Sequence, residues 1–295
     1  MGYTGWGDPV LYASQISGMN AFRQFAERFS RGKVFRRRLP AKYGGAQFYV
    51  TPECGLRYLR RNLESVDPTL LNLAREFVKP GAVVWDIGAN LGLFSFASAG
   101  LAGPAGKIFA VEPDTYLVGL LRRSSRLRND HAAPVSVIPC AASETLSLAV
   151  FNIAQRARAS NFLSGHGQSQ DGGVRESQRV VTVTLDWLAT QIAKPDLIKI
   201  DAEGADFQVL LGGSQLLREQ PPILIFEGSD AFAEAAAAFL LDLGFTLFDA
   251  DLPPQLRRPL SRVVWSTLAI PGHNAQIYAV EWSGARQRQP DRDID

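Results

Sequence analysis

A short apolar run that breaks into an acid and a glycine turn constrains this chain more than any other feature. Residues 83–92 read Val-Val-Trp-Asp-Ile-Gly-Ala-Asn-Leu-Gly, and a second apolar run closes on Val111-Glu112-Pro113. Strand, sharp turn, helix-forming segment and a second strand ending in an acid compose a nucleoside-binding βαβ unit. Gly88 and Gly92 let the backbone turn and approach a ligand closely. Their spacing is Gly-x-x-x-Gly within Asp86-x-Gly88-x-Asn90-x-Gly92, not the Gly-x-Gly-x-x-Gly turn that cradles a pyrophosphate.

A nucleoside ligand without phosphate suits that turn, which points to S-adenosylmethionine. Its amino acid end and ribose need acceptors for an ammonium and for hydroxyls. Asp86, closing the first strand, is expected to serve the amino acid end through the turn, and Glu112 to grip both ribose hydroxyls. Ligands of open α/β sheets sit outside the strand carboxyl ends, where both acids fall. The bland alternative makes them ordinary strand-end polar residues beside plain turn glycines.

At 295 residues, 46% hydrophobic and 20% charged, the chain has core enough for one large α/β domain with an N-terminal extension. The expected division is a basic, partly helical extension over 1–64, the catalytic domain over 65–283 and a disordered tail over 284–295. No apolar run has the length of a membrane span and no apolar signal core opens the chain, so a cytoplasmic location is expected. Cys54 and Cys140 lack metal or redox spacing and read as reduced, buried thiols; His131, His166 and His273 are too scattered for a zinc cluster. The net charge of +2 hides an asymmetry, because residues 1–62 hold eleven Lys or Arg against Asp8, Glu27 and Glu53. Such an arm suits a phosphorylated substrate, nucleic acid or anionic membrane, or is simply the solvated face of a helix.

Helical character is expected over Asn20–Arg28, and Asp67-Pro68 caps a helix whose apolar positions run from Leu70 to Val78. Strands are predicted at 82–87, 107–112, 135–140, 196–201 and 223–227, with helices at 91–101 and 115–129 between the early ones. That alternation specifies a mostly parallel sheet covered on both faces. Two late strands, at 245–248 and 277–282, fit a hairpin that makes one antiparallel strand at the sheet edge. The polar segment 155–179 is too long for a plain connection, so a lid, binding loop or disordered stretch is expected between β-like runs at 146–153 and 180–185.

A second constellation lies at Leu197-Ile198-Lys199-Ile200-Asp201-Ala202-Glu203-Gly204-Ala205-Asp206. Lys199, Asp201 and Glu203 alternate toward one side while Ile198 and Ile200 face the other. A fourth strand beside the first brings Asp201 and Glu203 to the sulfonium pocket, and Glu227 adds a carboxylate from the next strand. Part of this cluster could instead cap the helix that starts near Gly204.

Together with Val-Thr-Leu-Asp-Trp-Leu at 183–188, these motifs make the chain resemble the FkbM-type methyltransferases over roughly residues 65–282. The resemblance implies a class I, Rossmann-like fold with a seven-stranded, mostly parallel sheet, S-adenosylmethionine as cofactor, and methylation of a small-molecule, natural-product or sugar hydroxyl. It also implies that Asp86, Gly88, Asn90 and Gly92 form the methionine-end turn, that Glu112 and Pro113 flank the ribose, and that Ala141 and Ala142, in the Cys140–Ser143 turn, lie against adenine. Ala202 and Asp206 depart from the family's usual Val and Glu, and Asp206 is given no catalytic role. Transfer from a sulfonium needs collinear alignment and a base for the hydroxyl proton. Asp201 is the first candidate, Glu203 or Glu227 its neighbouring acid or orienter, Lys199 the countercharge and His273 a secondary base. Magnesium on Asp201 and Glu227 would lack a clear third ligand, so no metal is assigned. RNA methylation through the basic N-terminus is the alternative function. Oligomeric state is not legible.

Overall fold

The computed structural model describes residues 32–155, 158–165, 173–228, 231–275 and 278. The expected helix at Asn20–Arg28 and the tail from Gly284 lie outside them. The described chain opens with an antiparallel hairpin, β1 (Phe35–Arg38) and β2 (Gln47–Val50), followed by short 3-10 turns at Pro52–Cys54, Leu56–Leu59 and Leu63–Ser65. Helix α1 (Pro68–Phe77) starts where its sequence specifies: the Asp67 carboxylate accepts from the Leu70 amide at 2.9 Å, with proline at the first helical position.

Strand and helix then alternate as β3 (Val83–Ile87), α2 (Leu93–Ala102), β4 (Lys107–Val111), α3 (Thr115–Ser125) and β5 (Val135–Ile138). A small second sheet interrupts, made of β6 (Ala141–Ala142), β7 (Ser147–Ala154), β8 (Phe162–Leu163) and β9 (Val174–Val183). β7 and β9 pair antiparallel, so the β-like runs on either side of the polar segment form a hairpin. The main sheet resumes through α4 (Leu185–Gln191), β10 (Leu197–Ile200), α5 (Asp206–Leu211), α6 (Ser214–Glu219), β11 (Ile223–Glu227), α7 (Ala233–Asp242), β12 (Phe245–Asp249) and β13 (Ser266–Pro271).

The seven-stranded sheet runs β12-β13-β11-β10-β3-β4-β5. β5, β4, β3, β10 and β11 are mutually parallel, and β13 is antiparallel to both neighbours. This is the mostly parallel sheet expected of a class I, Rossmann-like fold. Its antiparallel strand stands one place in from the edge, slotted between β11 and β12. That strand is Ser266–Pro271 rather than 277–282. Of the latter segment only Tyr278 is described, in a helical conformation, its ring edge-on to Phe77 at 5.2 Å. The alternating Ile, Tyr, Val and Trp of 277–282 look more strand-like than Ser-Thr-Leu-Ala-Ile-Pro, but the buried apolar centre of 266–271 fits between two strands covered on both faces.

Alternate strand residues feed two cores. Trp85, Ile198, Leu224 and Phe226 pack against α4 to α7, whereas Val84, Ile108, Leu197 and Ile225 pack against α1 and α2. The chain winds outward from β3 to β5 and then returns to place β10 on the other side of β3. The switch point between β3 and β10 opens a crevice at their carboxyl ends. The hairpin is welded to the same face, with Phe48, Val50, Tyr58 and Leu63 sharing a core with α2 and α3. At the closest approach a Cβ on Gly100 would stand 2.2 Å from the Tyr43 carbonyl oxygen, so only glycine lets α2 touch that backbone. Among the described residues no helix is long and apolar enough to cross a membrane.

Phe48 is fully buried and its ring stacks on Phe96 at 5.4 Å. Phe48→Ala is expected to cost about 3–5 kcal/mol, read as a lower urea midpoint at an unchanged slope.

Candidate active site

The glycine turn joins β3 to α2 with three residues in the left-handed region: Gly88 (φ 72°), Asn90 (φ 53°) and Gly92 (φ 84°). Asparagine is the side chain that tolerates this region best after glycine, so the sequence fits the geometry. The Gly88 amide donates to the Val111 carbonyl at 2.9 Å, and a Cβ there would lie 1.9 Å from the Asp201 carbonyl oxygen. β3 and β10 therefore meet at Gly88 with no room for a side chain. Gly92 serves packing instead: a Cβ would strike Phe96 and Leu121, and the residue does not line the crevice.

Glu112 closes the floor. Its Oε2 accepts from the Asn90 amide and its Oε1 from the Asp114 amide, each at 2.8 Å. A carboxylate has about four acceptor positions, so each oxygen keeps capacity for a ligand hydroxyl. Burial, with the Asp114 charge, pushes the carboxyl up to about 7 against the pull of the two amide bonds and of Lys199. Asn90 also lines the crevice, and its buried side-chain oxygen has no hydrogen-bond partner among the described residues. Val111, Pro113, Leu117, Ala141, Ala142 and Phe151 supply an apolar wall. Cys140 lies among them, its thiol pushed up to about 12 by burial.

Asp86 stands elsewhere than expected. Its carboxylate is completely buried beneath the turn and does not line the crevice. One oxygen accepts from the Ser95 hydroxyl at 2.5 Å and the other faces the Lys199 ammonium at 3.4 Å. It sits mid-face on an interior strand whose neighbours cover it, so it supports the turn from behind.

Lys199 is the hub of the second constellation. It donates to the Gly88 carbonyl at 2.8 Å and pairs with Asp201 at 3.3 Å as well as with Asp86. Burial alone would lower its pKa, but Asp201, Asp86 and Glu227 hold it above the ordinary lysine value. Asp201 borders the crevice with its side chain 33% exposed. Glu203 borders it too, from a left-handed conformation at φ 48° that aims a non-glycine residue at some cost in strain. Glu227 ends β11 beyond that wall. Burial first, and then the Asp201 charge, drive both Glu203 and Glu227 above the usual carboxylate range. Asp206 is pushed to about 7 for the same reasons and accepts from the Ala202 amide at 3.2 Å, which holds the loop in shape.

Arg158 and Asn161 line the crevice from the segment between β7 and β8, and sequence reasoning passed over them. Length and polarity marked that segment only as a lid, binding loop or disordered stretch. His273 is far from the site, because β13 runs antiparallel: Ser266 pairs with Glu227 beside the crevice, whereas Pro271 pairs with Phe245 at the opposite end of the sheet. His273 follows Pro271 and is exposed, which removes it as a base. Among the described residues no three His, Cys, Asp or Glu side chains converge as a metal site.

The sequence matches the family described as the methyltransferase FkbM domain over residues 86–247, more than half of the chain. A hexuronic acid methyltransferase, AglP of Haloferax volcanii, is 26% identical over 151 residues; the match covers 50% of this chain and 57% of that protein. The chain thus spans little more than half the length of that relative. Among solved structures, methyltransferase FkbM of Methylobacillus flagellatus aligns at 15% identity and a TM-score of 0.41, over 68% of this chain and 50% of that one. Fibrillarin of Aeropyrum pernix, with natively bound S-adenosyl-L-methionine, aligns at 13% identity and 0.42, over 80% and 93%.

Four acids with raised folded-state values, two buried and two half-buried, make stability depend on pH. Glu112, Glu203, Asp206 and Glu227 keep protons that the unfolded chain releases near pH 4. Their contribution is complete below that pH and is lost as the pH rises through about 7 and beyond. The thermal midpoint should therefore fall between pH 6 and pH 9. Glu227→Gln should flatten the fall and add on the order of 1–2 kcal/mol at pH 9, measured by calorimetric unfolding at each pH.

Proposed function

Because the chain belongs to the FkbM methyltransferase family, we propose that it binds S-adenosylmethionine in the crevice between β3, β4 and β10 and methylates a hydroxyl group presented on the Asp201 side. The carrying observation is the junction at Gly88, where the turn that would hold the cofactor abuts the acids that would manage the acceptor's proton. The residues present fit the cofactor. Glu112 has acceptor capacity for the ribose diol, the orphaned Asn90 oxygen suits an ammonium or hydroxyl donor, and the Ala141–Ala142 wall suits an adenine ring. Gly88 and Pro113 shape the approach, while Asp86 and Gly92 hold the turn from within.

When bound, the cofactor supplies a methyl group made electrophilic by its sulfonium. Asp201, at the border of the crevice, would take the proton of the acceptor hydroxyl that receives the methyl group. Lys199 holds Asp201 in position. Glu203 and Glu227, with values raised together, are suited to hold a proton at neutral pH and so to offer both a donor and an acceptor to neighbouring hydroxyls. A sugar presents such hydroxyls. The Haloferax volcanii relative named for a hexuronic acid supports a sugar as the acceptor class.

Glu112→Ala should weaken S-adenosylhomocysteine binding at least tenfold in calorimetry, and unchanged affinity would sink the cofactor assignment. Asp201→Asn should bind the same ligand normally yet lose about 10²–10⁴ in turnover. That loss would be followed by mass spectrometry of methylated sugars, with undiminished turnover removing Asp201 as the base.

A further inference from the structure

A buried charge network beside Glu112 has no place in the chemistry above. Arg158 reaches down from the strap formed by residues 158–163 and places its guanidinium 4.5 Å from the Tyr116 ring centroid. Its Nη1 donates to Asp114 Oδ2 at 2.5 Å and its Nε to Glu53 Oε2 at 3.2 Å, with Arg175 on the same Glu53 oxygen at 3.1 Å. Asp114 is completely buried. Its Oδ1 caps α3 through the Tyr116 amide at 2.9 Å, its Oδ2 also accepts from Asn161 at 3.0 Å, and its own amide donates to Glu112.

Two buried carboxylates, Glu112 and Asp114, therefore stand two residues apart on one loop. The titratable groups around Glu112 are Asp114 on that loop, Lys199 on β10, Asp201, Glu203 and Arg158 lining the same crevice, and the Cys54 thiol in the 3-10 turn below, which burial keeps neutral. On the Asp114 side the countercharge arrives through Arg158. We propose that Arg158 is a positioning residue for cofactor binding: by neutralising Asp114 from the strap, it keeps Glu112 a carboxylate able to accept both ribose hydroxyls. The inference rests on reading the crevice as an S-adenosylmethionine site. It draws on the poise of Glu112 near 7, where an additional unscreened negative charge tips it toward the protonated form, which can accept less and donates instead.

The test is calorimetric binding of S-adenosylhomocysteine to the full chain between pH 6 and pH 9. Wild-type affinity should fall as the pH drops through about 7, because the carboxylate is the competent form. In Arg158→Gln the midpoint should move up by about one pH unit, giving about fivefold weaker binding at pH 7 and recovery to within about twofold at pH 9. Arg158→Lys should restore most of the profile. Asp114→Asn, which can still cap α3, should move the midpoint the other way and bind more tightly than wild type at pH 6. A loss in Arg158→Gln by the same factor at every pH would make Arg158 a mere clamp on the strap and overturn the proposal. An unmoved midpoint in Asp114→Asn would do the same, and this variant decides alone should Arg158→Gln not fold. Glu112→Gln separates the two layers: wild-type affinity there defeats the cofactor reading itself, whereas weak, pH-independent binding there beside an unmoved Arg158→Gln midpoint defeats only this inference.

Discussion

A single buried cation holds the site together. Lys199 touches the Gly88 carbonyl, Asp86 beneath the turn and Asp201 at the crevice, and so ties the end of β10 to the end of β3. Desolvating an ammonium is costly and such a group is no net stabiliser compared with a well-packed apolar core, but removing one member of a buried pair strands its partner at about 3–5 kcal/mol. The ion pair is thus better understood as a constraint on geometry. Asp86, held in turn by the Ser95 hydroxyl, gives the lysine a fixed anchor on its inner side and leaves Asp201 the outward-facing partner.

How far the fold could be read from the sequence follows the physics of each signal. Strands buried on both faces announce themselves as continuous apolar runs, and β3, β4, β10 and β11 were all legible in that way. That Glu112 lines the crevice was legible because it follows an apolar strand at the carboxyl end of the sheet. Asp86 looked the same in sequence, yet it lies on an interior strand with Lys199 opposite, and whether a strand-end acid faces solvent or a neighbour depends on pairing register, which no local pattern contains. β13 was missed for a related reason: it is short, begins with Ser and Thr and ends in proline, and only its two neighbours make it a strand. Arg158 and Asn161 depend on contacts with Asp114 and Glu53 across 44 to 105 residues, where sequence spacing carries no information.

The acid cluster carries a cost that the rest of the fold must offset. Asp201, Glu203, Asp206 and Glu227 crowd around one lysine, and two of the surrounding loop positions are strained or close-packed: Glu203 is left-handed and Gly88 admits no Cβ. Strain and repulsion of this kind persist where the surrounding structure over-determines them. Here the seven-stranded sheet does so, since the acids lie at or just beyond the carboxyl ends of β10 and β11, whose residues are locked in the core.

The hairpin of β1 and β2 has its own consequence for how the molecule is made. Its partners are α2 and α3, and the Tyr49 amide is satisfied by the Ser124 hydroxyl, 75 residues further along the chain. During synthesis the hairpin leaves the ribosome long before the surface it rests on exists. Phe48, Val50 and Tyr58 must wait, exposed, until α3 has emerged. The hairpin is thus translated well before the surface it rests on, and the interval in which a chaperone could engage this protein is written into the distance between Tyr49 and Ser124.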